Sequence, residues 1–169
     1  MIRHKILSLF ANIGVAEAYL EELGHDVVVA NELDPKRSAL YQKIYPKTKM
    51  VCGDITDEKT FCHIMDIARD GGVNCIVATP PCQGMSVAGN RDPDDPRNQL
   101  IYYAIDVIKR VSPSFVMLEN VPKQLTTKIT VDGQKIRIPD YIKNELQDKY
   151  VFNQNTLAKA KDFGVPQLR

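Results

Sequence analysis

Residues 74–86, NCIVATPPCQGMS, decide the fold expected for this chain. The short apolar run 76–78 predicts a buried strand, and the two prolines after it end that strand because proline cannot donate to a sheet ladder. Cys82 is therefore expected at the carboxyl end of the strand, the edge at which open α/β sheets bind ligands. A thiol held there is a candidate nucleophile, although a free cysteine is as often a small buried apolar residue.

Four further apolar runs predict strands around this one, over 5–10, 26–31, 50–55 and 114–118. Helical patterns lie between the strands, over 15–23, from Pro35 to about Tyr45, from a cap at Thr56 or Asp57 to Ile67, and over 98–111. Such alternation is typical of βαβ units, whose right-handed crossovers bring the carboxyl ends of the strands to one edge. The fold class expected is α/β, with a mostly parallel sheet and helices on both faces.

The pattern changes after Pro122. Residues 129–138 predict a β-hairpin around the Asp132-Gly133 turn, because an Asp-Gly pair suits a tight turn between two strands. A helix is expected from Pro139 to about Lys149, and a strand over 150–157.

Composition indicates one ordinary domain: 169 residues, 44% hydrophobic and 25% charged. No apolar run approaches the roughly 20 residues that span a bilayer, and the amino terminus lacks a signal-peptide pattern, so a cytoplasmic protein without a membrane anchor is expected. The four cysteines form no CxxC pair. Neither a zinc site nor a disulfide framework is therefore predicted, and no metal is expected.

Charge is unevenly distributed along the chain, whose net charge is +1. Residues 121–169 carry nine Lys or Arg and five Asp or Glu, a balance of +4. A basic region of this size could face a polyanion, but it is as often a solvated surface.

Two strand ends indicate a nucleoside site. Gly14 follows the first strand, and Glu32 ends the second strand 18 residues later, near the offset at which an acid binds ribose hydroxyls. No GxGxxG motif is present to hold a pyrophosphate, so S-adenosylmethionine fits the pattern. Asp54, at the third strand end, could accept from an adenine amino group or could equally cap the next helix.

Glu119 ends the fifth strand, on the same edge as Cys82. A carboxylate pressed among apolar residues there could share a proton with a substrate. A surface acid at the start of a helix is an equally good interpretation of Glu119 alone.

Together these residues resemble the motifs of the DNA cytosine-C5 methyltransferases. Pro80-Pro81-Cys82-Gln83 resembles the family's catalytic Pro-Cys motif, and Glu119-Asn120-Val121 resembles its Glu-Asn-Val motif. Leu9-Phe10-Ala11-Asn12-Ile13-Gly14 resembles the loop that holds the methionine part of the cofactor. Asn31-Glu32-Leu33-Asp34 and Gly53-Asp54-Ile55 resemble the ribose and adenine sites. Arg97 and Leu100 match the motif that follows the mobile catalytic loop, and residues 162–169 resemble the start of the Gln-x-Arg-x-Arg motif.

The resemblance implies a Rossmann-like, S-adenosylmethionine-dependent methyltransferase fold and a role for each matched residue. Catalytic roles fall to Cys82, Glu119 and Arg169. The cofactor is expected to contact Phe10, Asn12, Ile13, Gly14, Glu32, Leu33, Asp54, Ile55, Pro80 and Leu100. DNA or the target base is expected to contact Gln83, Ser86, Arg97 and Asn120.

Some residues depart from the family pattern. Asn12 stands at the usual first glycine of the cofactor loop, and Val15 replaces another glycine, which could narrow the turn and weaken cofactor binding. Residues 127–138 look like an insertion. The chain also stops at the first arginine of its last motif, so residues 1–169 are expected to form an incomplete catalytic domain without its target-recognition domain, which a second polypeptide could supply.

The activity implied is methyl transfer to C5 of cytosine in double-stranded DNA through a covalent bond between Cys82 and C6, within a restriction-modification system. Three alternatives remain. A tRNA cytosine-5 methyltransferase of the same family would use the same pocket, an amino-methyltransferase would carry an aromatic residue where Cys82 stands, and a non-catalytic fragment would only bind a partner.

Overall fold

A computed structural model describes residues 3–81, 99–153 and 157–165, and a five-stranded parallel sheet forms their centre. Its strands are Lys5–Leu9 (β1), Asp26–Glu32 (β2), Lys49–Cys52 (β3), Cys75–Ala78 (β4) and Phe115–Leu118 (β5). They lie in the order β3-β2-β1-β4-β5, and every neighbouring pair is parallel. The direction of winding reverses between β1 and β4, so a crevice opens there at the carboxyl edge. The predicted parallel sheet is confirmed.

Helices cover both faces of the sheet, as predicted. They are Pro35–Ile44 (α1), Glu58–Asp70 (α2), Leu100–Val111 (α3) and Ile138–Leu146 (α4). Alternate residues of each strand point to opposite faces. Residues such as Leu7 and Ile76 join the main core with α2, α3 and α4, whereas Ala30 packs with Tyr41 of α1 on the other face.

The helix predicted over 15–23 is wrong, because residues 12–24 form successive turns with no α-helix. Apolar residues of this segment also face outward: Tyr19 and Leu23 are exposed, whereas Glu17 is buried. The Glu17 carboxylate accepts a hydrogen bond from the Ser8 hydroxyl on β1. This bond holds inward a residue that a helical apolar stripe would place outside.

The predicted hairpin is confirmed, with strands Lys128–Val131 (β6) and Gln134–Arg137 (β7). The Asp132-Gly133 turn has φ values of 48° and 77°. Among residues 150–153 no strand forms, so the strand predicted over 150–157 is wrong in the part that the structure describes. Val151 is fully exposed and pairs with no described strand.

Across residues 3–81, 99–153 and 157–165, no helix combines the length and apolar character that crossing a membrane requires.

Candidate active site

The carboxyl ends of the strands lie at one edge, as the sequence predicts. Leu9 pairs with Asn31 on one side and with Ala78 on the other, and Ala78 pairs in turn with Leu118. Each strand therefore ends level with its neighbour, so the segments that follow β1, β2, β4 and β5 share one edge. The described residues expected to bind a cofactor are therefore brought to the edge that also carries Glu119, one of the three residues expected to perform chemistry.

The loop after β1 has an unusual backbone. Phe10, Asn12 and Gly14 have φ values of 60°, 53° and 87°, all in the left-handed region. Asparagine tolerates this region better than most side chains, so Asn12 takes up a conformation that glycine would otherwise supply. Val15 is 75% exposed, so its branched side chain does not crowd the loop.

Two tyrosines pack against Gly14: Tyr41 of α1, and Tyr45, which directly follows α1. A Cβ atom on Gly14 would lie 2.1 Å from Cε2 of Tyr45 and 3.0 Å from Cε2 of Tyr41. The Tyr45 hydroxyl donates to the Gly14 carbonyl at 2.6 Å. Only glycine therefore fits this point of the loop, for reasons of both backbone angle and space.

Glu32, the predicted ribose acid, joins the loop to the second strand. Its side chain is buried, and its two carboxylate oxygens accept from the Asn12 N–H at 2.9 Å and the Asp34 N–H at 3.0 Å. Nη1 of Arg37 lies 3.8 Å from one of them. Since each carboxylate oxygen has two lone pairs, Glu32 retains acceptor capacity for hydroxyl groups.

The residues predicted to hold adenine differ in their surroundings. Leu33 is exposed beside Glu32, as an apolar surface for a base would be. Oδ1 of Asp54 accepts from the Thr56 N–H and hydroxyl at 2.9 and 2.8 Å. The cap of α2 is Asp57, so the helix-capping alternative for Asp54 is excluded. Ile55 packs in the main core, which leaves only its backbone to face a ligand.

This set of groups fits the nucleoside part of S-adenosylmethionine. Glu32 offers acceptors for ribose hydroxyls, Leu33 an apolar face, and Asp54 an exposed carboxylate for an amino group. The acids would repel a phosphate, in agreement with the missing GxGxxG motif. Among the described residues, no three His, Cys, Asp or Glu side chains are grouped to hold a metal ion.

The ends of β4 and β5 are tied together by hydrogen bonds. The Glu119 N–H donates to the Ala78 carbonyl at 3.0 Å, and Nδ2 of Asn120 donates to the Pro80 carbonyl at 2.8 Å. The Thr79 hydroxyl donates to the Phe10 carbonyl at 3.0 Å, which connects β4 to the cofactor loop. Pro80 itself is buried, so the chain is held firmly two residues before Cys82.

The expectation that Glu119 is pressed among apolar residues is wrong, because Glu119 is exposed. Strand β5 lies at the edge of the sheet and pairs with β4 alone among the described strands. The Glu119 side chain is accessible to solvent. Leu100 is half-buried at the start of α3, on the same edge.

Five predicted site residues lie outside the described ranges: Cys82, Gln83, Ser86, Arg97 and Arg169. Their roles stay predictions.

Sequence patterns did not reveal three residues that shape the site: Glu17, Arg37 and Thr79. Glu17 is 2% exposed, and its second carboxylate oxygen has no hydrogen-bond partner among the described residues. Burial raises the pKa of Glu17, which favours its neutral form. The sequence Ala16-Glu17-Ala18 favours a surface position for Glu17. The bond from the Ser8 hydroxyl, which the sequence does not indicate, shows instead that Glu17 lies inside.

Comparison with known proteins places this geometry in a family. The model of the C-5 cytosine-specific DNA methylase family matches residues 4–169. The chain is 44% identical over 168 residues to Type II methyltransferase M1.HgaI of Avibacterium volantium. This match covers 96% of this chain and 47% of that protein. It is 32% identical over 176 residues to Type II methyltransferase M.AquIA of a Picosynechococcus species. That match covers 98% of this chain and 68% of M.AquIA.

Solved structures show the same fold. A DNA modification methyltransferase of E. coli encoded within a prophage superposes with a TM-score of 0.77 at 24% identity, covering 98% of this chain and 44% of that one. DNMT2 of Spodoptera frugiperda superposes with a TM-score of 0.61 at 20% identity, covering 86% and 41%. The chain thus spans less than half of several proteins that it matches. Because the family model covers nearly every residue, the chain belongs to the C-5 cytosine-specific DNA methylases.

Proposed function

We propose that this chain is the catalytic part of a DNA (cytosine-5-)-methyltransferase that modifies double-stranded DNA. The observation that carries the proposal is the hydrogen bond from Asn120 to the Pro80 carbonyl. It joins the segment that leads to Cys82 with the segment that bears Glu119, at the edge that also holds the acids of a nucleoside site. The Type II methyltransferases among its relatives support a place in a restriction-modification system.

S-adenosylmethionine, when bound, supplies an electrophilic methyl group. The loop at Phe10, Asn12, Ile13 and Gly14 would hold its methionine part, Glu32 its ribose, and Leu33, Asp54 and the backbone of Ile55 its adenine, with Pro80 and Leu100 closing the side towards the substrate. Glu32 is already fixed by two backbone N–H groups, so it would receive the ribose without reorganisation.

The target cytosine must leave the duplex to reach this edge, because stacking hides its ring carbons. The Cys82 thiolate would attack C6, so that electron density moves to C5, where the methyl group is accepted. Glu119 would bind the N3 and amino edge and donate a proton to N3 as negative charge develops. After S-adenosylhomocysteine is left by the transfer, loss of the C5 proton to solvent, return of the N3 proton to Glu119 and expulsion of the Cys82 thiolate would restore the aromatic ring and give 5-methylcytosine.

The remaining site residues would hold the base and the strand. Gln83 and Ser86 follow the nucleophile, Arg97 would contact phosphate, and Arg169 the base or its phosphate. Asn120 is expected from the resemblance to contact DNA or the base, but its bond to the Pro80 carbonyl favours a positioning role, in which it would act through Pro80. Recognition of the DNA sequence would depend on polypeptide outside these 169 residues, in the same chain or in a second one, since much of each longer relative has no counterpart here.

Covalent trapping tests the proposal. In the complete enzyme, DNA that carries 5-fluorocytosine should form an adduct that survives denaturation, because fluorine at C5 cannot leave as a proton does. Cys82→Ala should abolish both the adduct and methyl transfer. Cys62→Ala, at an exposed cysteine on α2, is the matched control and should retain both. Normal methyl transfer by Cys82→Ala would refute the mechanism.

A further inference from the structure

The 128–137 hairpin has two chemically different faces. Ile129 is buried in the main core, and Ile136, which pairs with it across the hairpin, packs against the same core. The opposite face is exposed and carries Lys128, Thr130, Lys135 and Arg137. The hairpin is therefore a fixed platform that presents three cations to solvent.

The outer face places like charges directly opposite each other. Lys128 pairs with Arg137 in the hairpin register, an arrangement that destabilises an antiparallel pair. Asp140 neutralises Arg137 through contacts of 2.7 and 3.0 Å. Within residues 3–81, 99–153 and 157–165, no acidic group lies at ion-pair distance from Lys128 or Lys135. Those two lysines are left to interact with a partner from outside.

The platform lies beside the candidate active site. The Tyr102 hydroxyl donates to the Thr130 carbonyl at 2.8 Å, which fixes β6 against the first turn of α3. A helix that follows a strand of a parallel sheet begins at the carboxyl edge, so this contact holds the hairpin near that edge. A third lysine, Lys123, lies in the 3₁₀ turn Pro122–Thr126, directly after the Glu-Asn-Val segment.

We infer that this outer face binds the phosphate backbone of the duplex DNA that flanks the flipped base. The inference rests on the proposed function, since it assumes a DNA substrate. Phosphates would remove the repulsion between the opposed cations and pair with Lys128 and Lys135. Contacts of this kind hold the duplex in register without reading its sequence, so the hairpin would contribute affinity and not recognition.

Salt-dependent binding tests the inference. Fluorescence anisotropy of a labelled duplex with the 169-residue chain, at about 50 to 200 mM salt, gives the slope of log affinity against log salt concentration. Each lysine–phosphate contact contributes about 0.9 to that slope. Lys128→Gln/Lys135→Gln should therefore lower the slope by about 1 to 2 and weaken binding at low salt.

Lys5→Gln/Lys49→Gln is the matched control, because both lysines are exposed and begin strands at the opposite edge of the sheet. The control variant removes the same charge as the hairpin variant. It should leave the salt slope of DNA binding unchanged, because its two lysines lie away from the hairpin. The hairpin variant should also melt no lower than wild type, since its change relieves repulsion. Equal slopes in the two variants would overturn the inference, and so would tighter binding of an RNA hairpin than of duplex DNA.

Calorimetry with S-adenosylhomocysteine separates this inference from the function on which it rests. The hairpin variant should bind this cofactor product as wild type does. A wild-type chain that binds the product but no duplex would overturn the hairpin's role and leave the cofactor site standing. A chain that binds neither would contradict the proposed function as well.

Discussion

Replacing Gly14 by alanine should destabilise the protein through two separate costs. An L-residue at its φ of +87° costs about 1–2 kcal/mol. The new Cβ, 2.1 Å from Cε2 of Tyr45, would also displace that ring and break the bond from its hydroxyl to the Gly14 carbonyl, at a net cost of about 0.5–1.5 kcal/mol. Alanine restricts the unfolded chain and returns about 0.4–1 kcal/mol. The free energy of unfolding should therefore fall by about 0.5–3 kcal/mol.

Gly24→Ala is the matched control for that change. Gly24 has a φ of +82°, but a Cβ there would meet nothing within 4 Å, so this variant carries the backbone cost without the collision. Urea unfolding should place Gly14→Ala below Gly24→Ala, and calorimetry should show weaker S-adenosylhomocysteine binding for Gly14→Ala alone. In the double variant Gly14→Ala/Tyr45→Ala the obstructing ring is gone. Its loss of stability should therefore be smaller than the sum of the losses of the two single variants. Equal stability and equal affinity of the two glycine variants would refute the account of the loop.

Three further changes test other parts of the structure. Asn120→Ala removes the hydrogen bond to the Pro80 carbonyl and should reduce turnover far more than cofactor affinity. Asn144→Ala, at an exposed position of α4, is the control and should change neither. Steady-state kinetics measures the turnover, and calorimetry measures the cofactor affinity. Burial raises the pKa of Glu17, so the folded protein binds a proton at Glu17 more tightly than the unfolded chain does. The protein should therefore lose stability as the pH rises from the ordinary glutamate range through that raised pKa. Glu17→Gln should flatten this slope in urea unfolding measured across pH, and an unchanged slope would contradict the raised pKa of Glu17. Ile105→Ala should cost about 2–5 kcal/mol in thermal or urea unfolding because Ile105 is fully buried, while Val15→Ala should stay within about 0.5 kcal/mol.

The sheet could be predicted from sequence because its strands are short apolar runs that end at clear signals. Pro80 ends β4, and Asp34 and Pro35 begin α1. The Asp132-Gly133 turn likewise fixed the hairpin. These are local effects, in which neighbouring residues decide the backbone.

The segment after β1 could not be predicted in the same way. Its apolar spacing favours a helix, but the buried bond between Ser8 and Glu17 and the three left-handed residues before it depend on tertiary contacts. The strand expected over 150–157 failed for a related reason: Val151 and Phe152 have strand propensity, but neither is paired with a described strand. Propensity alone does not form a strand without a partner.

The candidate site was predictable as a set of strand ends and not as a set of contacts. Glu32 and Asp54 could be assigned to one edge from topology, yet the sequence did not indicate that Glu32 is fixed by the Asn12 and Asp34 N–H groups. The exposure of Glu119 also depends on the position of β5 at the edge of the sheet, which only the structure shows.

The position of the transferred methyl group separates methylation at C5 from methylation at an exocyclic nitrogen. The complete enzyme would be incubated with DNA and labelled S-adenosylmethionine, and the DNA would then be digested to nucleosides for mass spectrometry. If Cys82 attacks C6, all of the label should lie in 5-methyldeoxycytidine and none should be transferred by Cys82→Ala. Label on an exocyclic nitrogen, or transfer that persists in Cys82→Ala, would contradict this mechanism.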